Sequence, residues 1–320
     1  MTQIRGFIEA TRRPGVLGVH SLDHFSLTVP DLEKAKTFYE TFGLDVRKEG
    51  KGIALHTHGH PHRWGTLSES SPKKKLQYLS FGAFEDDLPR FREHLHKLGI
   101  ERLDPPASFE SNGLWFRDHD GVPVEIRVAE KSSPNAKSVF SAVSAPPGVA
   151  GAVKRSQAPI TRPRRLAHIL LFTTDVPRAI EFYTRVLGLR LSDSSEGNIA
   201  FLHGVHGSDH HLIAFARSEG PGLHHCSWDV GSVEDIGLGA MQMASKGFTH
   251  GWGLGRHVLG SNYFHYVQDP WGSWSEYSAD IDFVPSTVDW AAADHLGEDS
   301  FYLWGPNVPE DFVRNHEAGN

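Results

Sequence analysis

The chain repeats itself, and the repeat fixes most of what it can fold into. Leu22-Asp23-His24-Phe25-Ser26-Leu27-Thr28-Val29 alternates as a strand does, and Leu166-Ala167-His168-Ile169-Leu170-Leu171-Phe172-Thr173 echoes it. An amphipathic stretch follows each copy. The first runs from Leu32 to Phe42 behind the N-cap Asp31 and stops at Gly43; the second runs from Asp175 to Leu187 and stops at Gly188. Phe38-Tyr39 answers to Phe182-Tyr183, and the spacing from His24 to Tyr39 equals that from His168 to Tyr183. Further on, Leu76 to Gly82 answers to Leu223 to Asp229. Asp118 to Glu125 answers to Asp269 to Glu276, again at equal spacing. A chain that copies a mixed strand and helix unit at this length is predicted to be two tandem copies of one α+β module.

The boundaries follow from composition. Residues 1–15 read as a short extension and 16–130 as the first domain. Residues 131–163 form a connection rich in Ser, Ala and Pro, including Pro134, Pro146, Pro147, Pro159 and Pro163. Residues 164–285 make the second domain, and an acidic, aromatic tail, 286–320, is expected to wrap it. A formal charge of −7 argues against a nucleic-acid or anionic-membrane binder. No apolar run approaches a bilayer span, and the N-terminus lacks a signal-peptide core. The single cysteine, Cys226, rules out an intrachain disulfide and suits a reducing cytoplasm, the expected location.

The chemistry concentrates in the second copy. Asp269-Pro270-Trp271-Gly272 fits a type I turn between two short strands. Tyr266 and Glu276 flank that turn closely enough to sit on paired strands, and a buried carboxylate needs partners. Three corresponding strands of the second copy offer His168, His225 and Glu276. Two imidazoles and a carboxylate form a facial triad that leaves three positions open on octahedral Fe(II) or Mn(II). The first copy offers His24, Tyr78 and Glu125 at the same places, so one competent site per chain is expected. His224 and His225 are adjacent, and neighbours on a strand face opposite ways. His225 follows Leu223 as His168 follows Leu166, so His225 is taken as the ligand. His203, His206, His250 and His265 read as ordinary core or edge residues.

The stretch from Gly255 to Glu276 resembles the signature of the two-domain type I extradiol ring-cleavage dioxygenases of the vicinal oxygen chelate superfamily. It carries Gly-Arg-His, then Tyr266, Asp-Pro-Trp-Gly and Glu276. The resemblance spans about Val16 to Phe283; His265, where the family usually has an apolar residue, is the departure and reads as peripheral. The resemblance implies two domains of paired βαβββ modules, each curling its sheet around a cavity. It implies Fe(II) (Mn(II) being equally allowed by the ligand types) on His168, His225 and Glu276. It also implies an acid–base role for His211, which precedes Leu-Ile-Ala-Phe and is preferred to His210, and places for His257 and Tyr266 on a bound catecholate. The implied partners are a catechol-type diol and O2, in a homo-oligomer, with meta cleavage of the ring. Two other readings stay open at this level. One is a metal-dependent isomerase or thiol transferase on the same fold, resembling glyoxalase I or a fosfomycin-type resistance enzyme; the other is a metal-free module that binds a flat aromatic.

Overall fold

The computed structural model describes residues 10–69, 72–106, 111–142 and 144–318; the first nine residues of the expected N-terminal extension lie outside them. The first half runs β1 (Ser21–Val29), α1 (Leu32–Thr41), β2 (Asp45–Glu49), β3 (Gly52–His56), β4 (Gly65–Glu69), β5 (Lys75–Ala83), α2 (Leu88–Lys97), β6 (Leu114–Arg117) and β7 (Pro123–Val128). The second runs β8 (Arg165–Thr173), α3 (Val176–Leu187), β9 (Arg190–Ser195), β10 (Ile199–His203), β11 (Ser208–Asp209), β12 (Ile213–Arg217), β13 (Gly222–Asp229), α4 (Val233–Ala244), β14 (Gly251–His257), β15 (Tyr263–Gln268) and β16 (Trp274–Ala279). The tail adds β17 (Phe283–Val284), β18 (Ala293–His295) and β19 (Tyr302–Trp304).

The repeat is visible at the helix ends. Asp31 accepts from Lys34 N and Asp175 from Arg178 N, so the same cap opens α1 and α3. Gly43 and Gly188 follow with φ of +95° and +71°, the left-handed conformation that glycine adopts without a Cβ penalty.

Each half is an α+β sheet built from two units. In the first, β1 lies parallel to β4 and β5 parallel to β7, while β1 and β5 join the units antiparallel. In the second, β8 with β12, β13 with β16, and β8 with β13 repeat the pattern. The finer duplication implied by the resemblance is therefore present in the pairing. In the first half the second strand of the second unit, which follows α2, is reduced to one bridge, Leu103 to Trp115. The tail extends the second sheet at both edges, β18 pairing with β9 and β19 with β14.

One apolar core runs through both halves. Phe42 stacks on Tyr277 with centroids 3.9 Å apart and planes 2° from parallel, and the Tyr277 hydroxyl donates to Phe42 O at 2.9 Å. The two equivalent turns dock reciprocally. Asp118 accepts from the Tyr183 hydroxyl of α3, and Asp269 takes the buried Lys74 Nζ at 2.6 Å. Among the described residues no helix is long and apolar enough to cross a membrane.

Candidate metal centre and its cavity

Strand register brings the cluster together. On β8 and β16, His168 and Glu276 both stand opposite Ser227 of the central β13. His225 lies two residues before Ser227, so it projects to the same side of the sheet. Ligand atoms of His168, His225 and Glu276 all lie within 4.8 Å of one another, and all three residues are buried. His168 Nε2 is 3.2 Å from Glu276 Oε2, and His225 Nε2 is 3.7 Å from the same oxygen. Among the described residues, neither His225 Nε2 nor Glu276 Oε2 has a hydrogen-bond partner. Buried polar atoms are almost always paired, so two orphaned ligand atoms converging on one point call for a third body. Two imidazoles and a carboxylate fit a divalent first-row metal with positions left over.

The second carboxylate oxygen is held separately. Asn262 Nδ2 donates to Glu276 Oε1 at 3.0 Å and to Ser278 Oγ at 3.0 Å. Asn262 went unrecognised in the sequence, where it sits among the aromatic residues before the turn. Burial pushes the Glu276 carboxyl up, but the close approach of His168, and then of His257, brings it below its ordinary value. Glu276 is thus held as the anion a cation needs.

His257, Tyr266 and His211 surround the cluster. Tyr266 stands opposite Glu276 across the β15–β16 pair. His257 Nε2 and the Tyr266 hydroxyl lie 2.9 Å apart, and His257 Nδ1 meets Phe301 O at 2.8 Å. A carbonyl only accepts, so Nδ1 carries the hydrogen and Nε2 accepts from Tyr266. Burial, then Glu276, pushes the Tyr266 hydroxyl well above its usual range. His211 packs on His168 with centroids 4.0 Å apart. Burial, then His168 and His210, pushes His211 well below its ordinary value, leaving it neutral.

At both histidine pairs the adjacent rings lie together rather than facing apart. A bulge between Leu223 and His225 breaks the alternation of β13 against β8. Both rings then line one cavity, His224 Nδ1 and His225 Nδ1 being 2.8 Å apart, yet only His225 joins the cluster. His210 and His211 do not sit on a strand at all; they fill the bend between β11 and β12. Their Nδ1 atoms lie 3.1 Å apart.

In the first half the equivalent place is filled. His24 Nδ1 meets Asp23 at 2.7 Å and its Nε2 meets the Tyr78 hydroxyl at 3.2 Å. Ser80 and Ser111 both donate to Glu125. Here every counterpart of a ligand already has a protein partner.

Over the cluster lies a narrow cavity with about 60 Å³ of free space for a water-sized body. His168, His225, His211, His257, Tyr266 and Asn262 line its polar side; Leu170, Phe201, Leu259 and Phe301 line its apolar side. Phe312 and Val313 bring the tail over it. A largely apolar molecule with a few polar atoms on one edge matches this lining.

The Glyoxalase/Bleomycin resistance protein/Dioxygenase superfamily model matches residues 21–126 and 165–277. Metapyrocatechase 2 of Cupriavidus necator is 49% identical over 300 residues, covering 94% of this chain and 93% of that protein. Biphenyl-2,3-diol 1,2-dioxygenase of Paraburkholderia xenovorans strain LB400 is 28% identical, covering 73% and 78%. Among solved structures, the Mn(II)-bound glyoxalase of Novosphingobium aromaticivorans superposes with a TM-score of 0.74 at 23% identity, covering 92% of this chain and 94% of that one.

Proposed function

From the premise that this chain belongs to the type I extradiol dioxygenases of the Glyoxalase/Bleomycin resistance protein/Dioxygenase superfamily, we propose that it opens a catechol-type ring beside the diol with both atoms of O2. The observation that carries the proposal is the convergence of His168, His225 and Glu276 beside a cavity lined by both histidines and by His211, His257 and Tyr266. The isomerase alternative has no use for those last three residues together.

His168, His225 and Glu276 would hold Fe(II), or Mn(II), with Asn262 fixing the carboxylate. When bound, the metal supplies a meeting point for the diol and O2 and a path for electrons between them. The apolar wall places the ring flat and keeps bulk water from it. Tyr266 and His257, already hydrogen-bonded to each other, hold one diol oxygen. Neutral His211 takes a proton from a substrate hydroxyl and returns it later in the cycle.

The test is a panel of catechols under air with the Fe(II)-reconstituted protein. Formation of a yellow semialdehyde-type product is expected. Bound metal with no ring-opened product from any diol in the panel would overturn the reading. Within an active protein, His211→Asn should keep metal and diol binding and lose roughly 10²–10⁴ in turnover.

A further inference from the structure

The residues behind His211 form a chain of their own. His210 Nε2 lies 2.8 Å from Asp193 Oδ2, and His210 Nδ1 lies 3.1 Å from His211 Nδ1. Asp193, His210 and His211 are all buried. The backbone of His210 is pinned on both sides: its N–H donates to Asp282 O at 2.7 Å, and Ser192 Oγ donates to its carbonyl. The two ring contacts therefore define hydrogen positions.

An ionised carboxylate only accepts, so the hydrogen between Asp193 and His210 sits on His210 Nε2. With that one ring hydrogen on His210, its Nδ1 is the acceptor. It must then receive the hydrogen of His211 Nδ1. That leaves His211 Nε2 as the bare nitrogen, available to the cavity this residue lines. We propose that Asp193 and His210 are positioning residues that fix the hydrogen on His211 Nδ1 and so keep its Nε2 ready to accept a proton from substrate. The proposal rests on the assignment of proton transfer to His211 made above.

The same carboxylate also anchors the C-terminal tail. Asp193 accepts from Trp290 Nε1 at 3.2 Å, Ala293 N at 3.1 Å and His295 Nε2 at 2.9 Å. Four donors thus surround one carboxylate, which holds it ionised and stationary. A structural carboxylate needs the tail contacts alone. The contact with His210, aimed along the line to His211, is the one that a purely structural role leaves unexplained.

The test reads the tautomer directly. In the full chain loaded with diamagnetic Zn(II), long-range proton–nitrogen NMR of labelled histidines assigns His211 by its disappearance in His211→Asn. Hydrogen on His211 Nδ1 is expected; hydrogen on Nε2 overturns the proposal, with no need for any Asp193 variant to fold. Asp193→Asn removes the obligate acceptor. In the Fe(II)-loaded enzyme it should lower kcat roughly 10²-fold with KM little changed, and it should move the His211 hydrogen toward Nε2. A metal-replete Asp193→Asn enzyme with parental kcat and parental tautomer overturns the proposal as well. If the parent opens no catechol while His211 still carries its hydrogen on Nδ1, the functional reading fails and the hydrogen-bond chain stands.

Discussion

Asn262→Ala isolates what the fold contributes to the metal centre without touching a ligand. In the parent, Asn262 is buried and gives Glu276 Oε1 an amide donor at 3.0 Å. His257 Nε2 is 3.8 Å from that oxygen, too far to replace it. A hydrogen bond to a buried charged group is worth about 1.5–3 kcal/mol. Its loss acts on two quantities. The folded metal-free protein loses stability of that order, because the carboxylate stays buried with fewer partners. Metal affinity should fall about 10–100-fold, the usual cost of removing a group that orients a ligand. Chelator competition measures the second and denaturant unfolding of the metal-free chain the first. Asn262→Asp should do worse, since it sets a second carboxylate against Glu276. If Asn262→Ala binds metal as the parent does and unfolds at the same denaturant concentration, the orientation argument is wrong.

Alanine at His168, His225 or Glu276 should remove bound iron and activity together, read by elemental analysis. His224→Ala should keep one metal per chain but weaken it, because His224 contacts His225 at 2.8 Å. The parent should bind about one metal per chain, since the first-half site is closed by the contacts of His24, Tyr78 and Glu125; a second equivalent surviving Glu276→Ala would refute this. Stability should fall in acid through His20 and His206, which burial, the largest cause at each, pushes down to about 4. Both stay neutral in the fold while the unfolded chain takes up protons from about pH 6.5 downward. The stability is complete above pH 6.5 and is lost as pH falls toward 4, by on the order of 3 kcal/mol per histidine. Urea unfolding across that window checks it, and His206→Gln should flatten the slope.

The sequence carried the repeat, the capped helices and the Tyr266 to Glu276 pairing because each is local or periodic. Asp31 and Gly43 bracket α1 within a few residues, and one turn sets the register of β15 on β16. The helix α4, implied by paired βαβββ modules, is not legible in its own residues, since Gly237 and Gly239 interrupt its pattern; at Gly239 a Cβ would come within 2.7 Å of the Tyr277 ring. A bulge has no sequence signature of its own, so strand alternation misjudged His224. The His210–His211 bend has no local mark either, because the polar run before Leu212 looks no different from a strand start. Asp193, Trp290 and His295 lie about 100 residues apart in the chain. Only tertiary structure brings them to one carboxylate.

The Phe42–Tyr277 stack limits how far this protein could be miniaturised. The second half owns the entire candidate centre, so a designer would be tempted to keep it alone. That fragment would leave the Tyr277 ring and Phe248 without Phe42 and Phe38, which pack on them at 3.9 Å and 5.1 Å. Each such uncovered side chain forfeits roughly 1.5–3 kcal/mol. Tyr277 lies in β16, one residue beyond Glu276, so the wound would open directly behind a ligand. The half whose equivalent place is filled by its own side chains is the rear wall of the half that carries the candidate centre. A shortened version would need a new wall there before it could hold a metal.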